Sequence, residues 1–196
     1  MSQRPTHLSD LPADLPIPTD DGASDHLIGM PLPDVELAAT TGERVSLARV
    51  AEQIVVVYCY PRTGLPDVPI APGWDAIPGA RGCTPHNIAF RDHYGELRAL
   101  GAAVFGLSTQ TTQYQQEMAQ RLSLPYPVLS DAQFRLTDAL RLPTFVFDGV
   151  RLLMRLSFVA IGGTIEHVEY PVFPPGADAD GIVSWLRERS KMKRDV

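Results

Sequence analysis

Cysteine is scarce in this chain. Two residues in 196 are too few for the disulfide framework of a small secreted domain. Neither has a second cysteine three positions away, so the CxxC pair of a dithiol oxidoreductase is missing. Positive charge is in deficit, with 17 Lys and Arg against 23 Asp and Glu and a net charge of −6. That balance argues against a bulk electrostatic grip on nucleic acid or anionic lipid. Long apolar runs are missing too: the longest, residues 54–60, falls far short of the ~20 residues that span a bilayer. Residues 1–18 are polar and studded with proline, without the apolar stretch of a secretory signal, so the expected location is the cytoplasm. The Gly-x-Ser-x-Gly, Walker, Rossmann-glycine and His-Glu-x-x-His patterns are all absent.

What is present is enough apolar residue, 44%, to build the core of one domain with an appendage. Residues 1–26 lack periodicity and read as a flexible N-terminal arm, leaving 27–196 as the domain. A short hairpin is expected over 34–47, turning at Thr41-Gly42. Residues 54–60 read as a strand covered on both faces. A Gly- and Pro-rich loop follows over 61–82; at roughly 20 residues it is longer than ordinary connections and is more often functional than merely connective. Thr84-Pro85 opens a helix, with Thr84 as the cap and Phe90, Tyr94 and Leu97 on its buried stripe until Gly101. After a strand at 102–107, Thr112 and Gln115 suggest a capping box for a second helix. Residues 125–129 are extended, and Ser130-Asp131 caps a third helix to about Leu140. Strands are expected at 144–147, 153–161 and 164–170, then a closing helix around Ile182, Val183 and Leu186. Helix-linked parallel strands followed by an antiparallel pair describe an α/β protein of thioredoxin-like fold, a central mixed sheet flanked by helices.

One residue stands out for chemistry. Cys83 directly precedes the helix start, near unpaired backbone N–H groups and the positive end of the helix dipole. Both favour thiolate over thiol, the form that attacks, whereas a free thiol is only about 3% ionised at pH 7. Cys59 ends an apolar strand, where a core role fits; the C-terminal edge of a parallel sheet also keeps a resolving role open. His86 lies one turn after Cys83, and His93 lies about 10.5 Å further along the helix. One ion cannot take both histidines and no further ligand pair accompanies them, so no metal site is expected. Both histidines read as surface or helix-packing residues.

Several short segments resemble a known family in order and spacing. Tyr58-Cys59-Tyr60-Pro61, Gly82-Cys83-Thr84-Pro85 and Ala89-Phe90-Arg91-Asp92 are similar to the active-site region of peroxiredoxins, closest to the peroxiredoxin Q (bacterioferritin-comigratory) subgroup. The likeness continues through Val104-Phe105-Gly106-Leu107-Ser108, residues 124–131, and Arg155-Leu156-Ser157-Phe158 before the Gly162-Gly163 turn. It implies a thioredoxin-like fold and a thiol peroxidase that reduces hydrogen peroxide and organic hydroperoxides. It implies Cys83 as the peroxidatic cysteine, Arg155 as the active-site arginine and Pro61 as the proline that shields the pocket. The implied partners are a hydroperoxide and thioredoxin or a low-molecular-weight thiol, with no metal, flavin or haem, no nucleic acid and no membrane, in a monomer or homodimer.

Three departures qualify this. A long insert containing Gly73-Trp74-Asp75 separates Pro61 from Cys83, and it is expected to shape the pocket mouth. Ala80 stands where the family places threonine, so Thr63 or Thr84 is the candidate replacement hydroxyl. Ile88 occupies the position of the usual resolving cysteine, which leaves an external thiol (a 1-Cys mechanism) favoured over a Cys59–Cys83 bridge. The rival reading is a non-enzymatic redox sensor or binding module on the same fold.

Overall fold

The computed structural model describes residues 8, 11–50 and 52–192. β1 (Glu36–Ala39) and β2 (Arg44–Ser46) form the expected hairpin. The apolar runs become β3 (Ile54–Cys59) and β4 (Ala102–Ser108), which pair in parallel with Val57 opposite Phe105. Both lie buried at the centre of the sheet, which is why their sequences are continuously apolar rather than alternating. β5 (Val128–Ser130) extends the parallel part, and β8 (Leu156–Ile161) and β9 (Thr164–Glu169) complete the other edge antiparallel. Among the described residues the order is β2-β1-β5-β4-β3-β8-β9, a mixed seven-stranded sheet of thioredoxin type.

The period-two alternation of β3 divides the core. Val55, Val57 and Cys59 face one layer, with Leu27, Leu107 and Phe158 and with Leu136 and Leu140 of α4 (Arg135–Leu140). Val56, Tyr58 and Tyr60 face the other. There they meet Cys83 and Phe90 of α1 (Cys83–Asp92), Leu97 of α2 (Tyr94–Ala99), Met118 of α3 (Thr112–Arg121), and Ile182 and Leu186 of α5 (Asp178–Met192). Each fully buried aliphatic side chain contributes roughly 1.5–3 kcal/mol relative to exposure. Gly106 is needed for the second layer to close: a Cβ there would lie 2.7 Å from Tyr58 Oη.

Local details depart from the sequence reading. The single helix expected after Cys83 breaks at His93, whose ring Nδ1 and backbone N–H converge on the Ala89 carbonyl. Thr84 does not cap it; Gly82 does. The second helix is capped by Thr111, one residue early, through a bond from Tyr114 N–H to Thr111 Oγ1. Gln115 instead donates to the Ser108 and Gln110 carbonyls. Asp131 does receive the N–H groups of Leu136 and Thr137 at the start of α4. The strand expected over 153–161 is two strands. Among the described residues β7 (Val150–Leu153) pairs only with β6 (Thr144–Phe147), in a separate ribbon, whereas β8 joins the central sheet, and the chain changes sheets at Met154-Arg155.

Of the residues assigned to the arm, 1–7, 9 and 10 lie outside the described residues. Further along, Tyr170 Oη donates to Asp21 at 2.9 Å and Leu27 is fully buried. No helix among the described residues is long and apolar enough to cross a membrane.

Candidate active site

Cys83 is the first residue of α1, so its side chain stands where the helix's first N–H groups have no intrahelical acceptor. Pro85 costs nothing here, because its missing N–H would have been one of those orphans. Gly82 sets the approach. Its φ of 103° lies in the left-handed region, and a Cβ would come within 2.4 Å of Pro175 Cγ. Only glycine meets both conditions. Gly82→Ala is expected to cost about 2 kcal/mol or more in chemical denaturation, and to lower Cys83 reactivity through displacement of the helix start. Parent stability and parent reactivity in that variant would show that the turn adapts.

Arg155 meets Cys83 from the sheet switch. The break between β7 and β8 frees its side chain from strand geometry and lets it reach α1. Its NH2 donates to Cys83 Sγ at 3.3 Å and to the carbonyls of Ala80 and Arg81 at 3.3 and 3.2 Å. NH1 donates to His86 Nδ1 at 2.9 Å. His86 Nε2 lies 2.5 Å from Asp178 Oδ2, the first residue of α5, and Ser157 Oγ donates to the same oxygen. Arg155, His86, Ser157 and Asp178 are all buried. Burial holds the His86 pKa below the ordinary histidine range, with the Asp178 hydrogen bond and charge pulling the other way. As thiol, Cys83 has the Ala80 carbonyl as acceptor at 3.6 Å.

Cys83 borders a cavity of about 370 Å³. Leu65, Val68, Ile70, Ala71 and Trp74 of the insert form its apolar wall, and Thr63, Thr84, Gln110 and Tyr114 its polar side. The insert therefore lines the pocket. It is anchored by Arg62, whose guanidinium lies 4.2 Å above the Trp74 ring and 4.9 Å from Phe147 of β6, and by the buried Arg81–Asp75 pair. Thr63 is clamped: Gln110 Oε1 accepts from its N–H and hydroxyl, and its carbonyl accepts from Tyr114 Oη. Pro61 is buried beside it, its carbonyl accepting from Ser108 Oγ at 3.0 Å.

Thus Cys83, Thr63 and Thr84 share one cavity, Arg155 reaches Cys83 from outside its lining, and Pro61 lies two residues before Thr63 without lining the cavity. Cys59 does not join them. It points into the opposite core layer from Cys83, and burial, aided by the Asp178 and Asp131 charges, pushes its thiol pKa well up. His86 and Asp178 escaped the sequence reading as site residues. The one-turn spacing from Cys83 was the available signal for His86, which was weighed for metal binding and set aside as a surface or helix-packing residue. Asp178, 92 residues further on, carried none.

The Redoxin family model matches residues 27–183. The Escherichia coli K12 protein named Peroxiredoxin Bcp is 28% identical over 165 residues, covering 81% of this chain and 94% of its own. The chloroplastic Peroxiredoxin Q of Suaeda salsa is 30% identical over 156 residues, covering 79% and 65%. Among solved structures, Peroxidoxin BcpB of Mycobacterium tuberculosis superposes with a TM-score of 0.65 at 26% identity, over 82% of this chain and 96% of that one.

Proposed function

The chain belongs to the Redoxin family, in its peroxiredoxin Q and Bcp subgroup, and from that premise we propose that Cys83 is the peroxidatic residue and that an external thiol resolves it. Membership makes the protein a thiol peroxidase, an oxidoreductase acting on peroxides. The observation that carries the assignment is a cysteine at a helix start, bordering a cavity and receiving an Arg155 N–H at 3.3 Å.

In this reading the Cys83 thiolate attacks one oxygen of the hydroperoxide. An S–O bond forms as the O–O bond breaks. Sulfur gives up two electrons, and the departing oxygen takes a proton to leave as water or an alcohol, with Cys83 left as the sulfenic acid. Arg155 offers donors fixed in space to the sulfur and to the charge growing on the leaving oxygen. A thiol then condenses with the sulfenic acid, releasing water, and a second thiol displaces Cys83 from the mixed disulfide. Thr63 and Thr84 are the hydroxyls on hand to orient the peroxide, and Pro61 is the proline proposed to shield the pocket. The apolar wall leaves room for an alkyl group, which supports organic hydroperoxides beside hydrogen peroxide as substrates. Thioredoxin or a small thiol is the proposed reductant and the cytoplasm the proposed location, with residues 1–26 as an arm on the domain 27–196.

Two facts support external resolution: Ile88 stands at the family's resolving position, and Cys59 lies across the sheet. A disulfide needs Cα atoms within about 7 Å and facing Cβ vectors. Mass spectrometry after one equivalent of peroxide, with no added thiol, is expected to find a gain of about 16 mass units on Cys83. Loss of about two units with a 59–83 cross-linked peptide would overturn external resolution. An unmodified Cys83 would overturn the assignment itself. Ala80, buried where the family has threonine, is the observation that favours the rival redox sensor.

A further inference from the structure

The His86 imidazole makes two hydrogen bonds, and their partners fix its chemical state. A guanidinium has only N–H groups and cannot accept, so Nδ1, which meets Arg155 NH1 at 2.9 Å, must be the unprotonated acceptor. The proton is therefore on Nε2, directed at Asp178 Oδ2. Asp178 is pinned in turn by the Ser157 hydroxyl. The result is a directional chain from the start of α5 to the sulfur: Asp178 holds His86, His86 holds NH1 of Arg155, and the other arm of the same planar fork, NH2, meets Cys83.

We propose that His86, braced by Asp178, is a positioning residue for peroxide reduction: as its neutral Nε2–H tautomer it aims the Arg155 guanidinium at Cys83 and at the peroxide.

The groups around the imidazole agree with this state. Asp178 faces it from α5 and Arg155 from the β7–β8 switch. From β3 the Tyr58 ring meets it at a centroid distance of 5.1 Å, and Phe90 of its own helix at 5.4 Å, both edge-on. Cys83 is one turn earlier on α1. Arg155 is the cation in this group and Asp178 its carboxylate, so a neutral imidazole transmits orientation without adding charge beside Arg155. A protonated His86 would carry a hydrogen on Nδ1 directed at NH1, opposing two donors and releasing the fork. Because burial lowers the pKa of this histidine, its contribution to stability is fully present above about pH 6.5, the unperturbed value, and is lost as pH falls through the lower folded-state value.

The inference rests on Cys83 as the peroxidatic residue, and its test separates the two claims. Two rates on Cys83 are measured at pH 7.5, oxidation by hydrogen peroxide and alkylation by iodoacetamide. Both need the thiolate, but only the first develops charge on an oxygen that Arg155 must meet. His86→Leu is expected to slow oxidation tenfold or more while changing alkylation less than about threefold. His86→Gln, which can accept at Oε1 and donate at Nε2, is expected to restore oxidation to within about threefold of the parent. If His86→Leu does not fold, His86→Asn, too short to span from Arg155 to Asp178, carries the same expectation. Parent-like oxidation in the Leu or Asn variant, or an equal fall in both rates, would overturn the positioning role alone. A parent protein inert to peroxide would overturn both claims.

Discussion

Replacing Cys83 by serine is expected to lower the second-order rate of hydroperoxide reduction by about 10³ or more, roughly 4 kcal/mol in barrier. Serine leaves the surroundings in place: it is smaller than cysteine, it can keep the bond to the Ala80 carbonyl, and Gly82 still sets the turn. What disappears is the ionised, polarisable sulfur. A hydroxyl near neutral pH supplies almost no anion to attack the O–O bond, whereas a cysteine at a helix start is suited to supply thiolate. Stopped-flow mixing with hydrogen peroxide under excess thiol measures the effect, and a serine variant as fast as the parent would remove Cys83 from the reaction. Cys59→Ala is the matched control, expected to keep the rate within about twofold. Its sulfur faces the other core layer, so the variant costs stability of about 1 kcal/mol rather than chemistry. The parent's own rate separates enzyme from sensor, since oxidation of Cys83 no faster than that of free cysteine would favour the sensor.

Much of this site was legible because its determinants are local. Continuous β-branched runs gave β3 and β4, and Cys83 could be placed at a helix start from Thr84-Pro85 alone, although the cap proved to be Gly82. Glycine wins there through a contact with Pro175, 93 residues away in sequence, which no local pattern encodes. The same limit explains Arg155. Its role came from resemblance, but residues 153–161 read as one strand, because the apolar pattern runs on across the point where the backbone leaves one sheet for another. Pairing partners, not propensity, decide that break: β7 has only β6, and β8 has β3 and β9. The face of Cys59 was left open at the sequence level, and Tyr58 and Tyr60 packing with α1 settles it. His86 was visible yet misassigned, because its partners Arg155 and Asp178 come from distant parts of the chain and only the tertiary fold assembles them.

Arg155→Met is expected to slow peroxide reduction tenfold or more, about 1.4 kcal/mol or above. The reason is charge bookkeeping in a buried cluster. His86 is neutral and stands between Arg155 and Asp178, so Arg155 is the cation that meets Cys83, and the helix start adds only a partial positive charge. Methionine fills similar space but removes both the donor that meets Cys83 Sγ and the fixed positive charge that the oxygen leaving in the reaction needs. It also removes the hydrogen bonds that Arg155 gives to the Ala80 and Arg81 carbonyls, which lowers stability. Thermal unfolding must therefore be measured beside the rate. Arg155→Lys separates charge from geometry. An ammonium keeps the positive charge, but it cannot hold His86, two carbonyls and the sulfur at once as the planar fork does. Lysine should accordingly recover only part of the rate. Full recovery by lysine would show that position in the fork is irrelevant, and an unchanged rate in Arg155→Met would show that the arginine serves the fold alone.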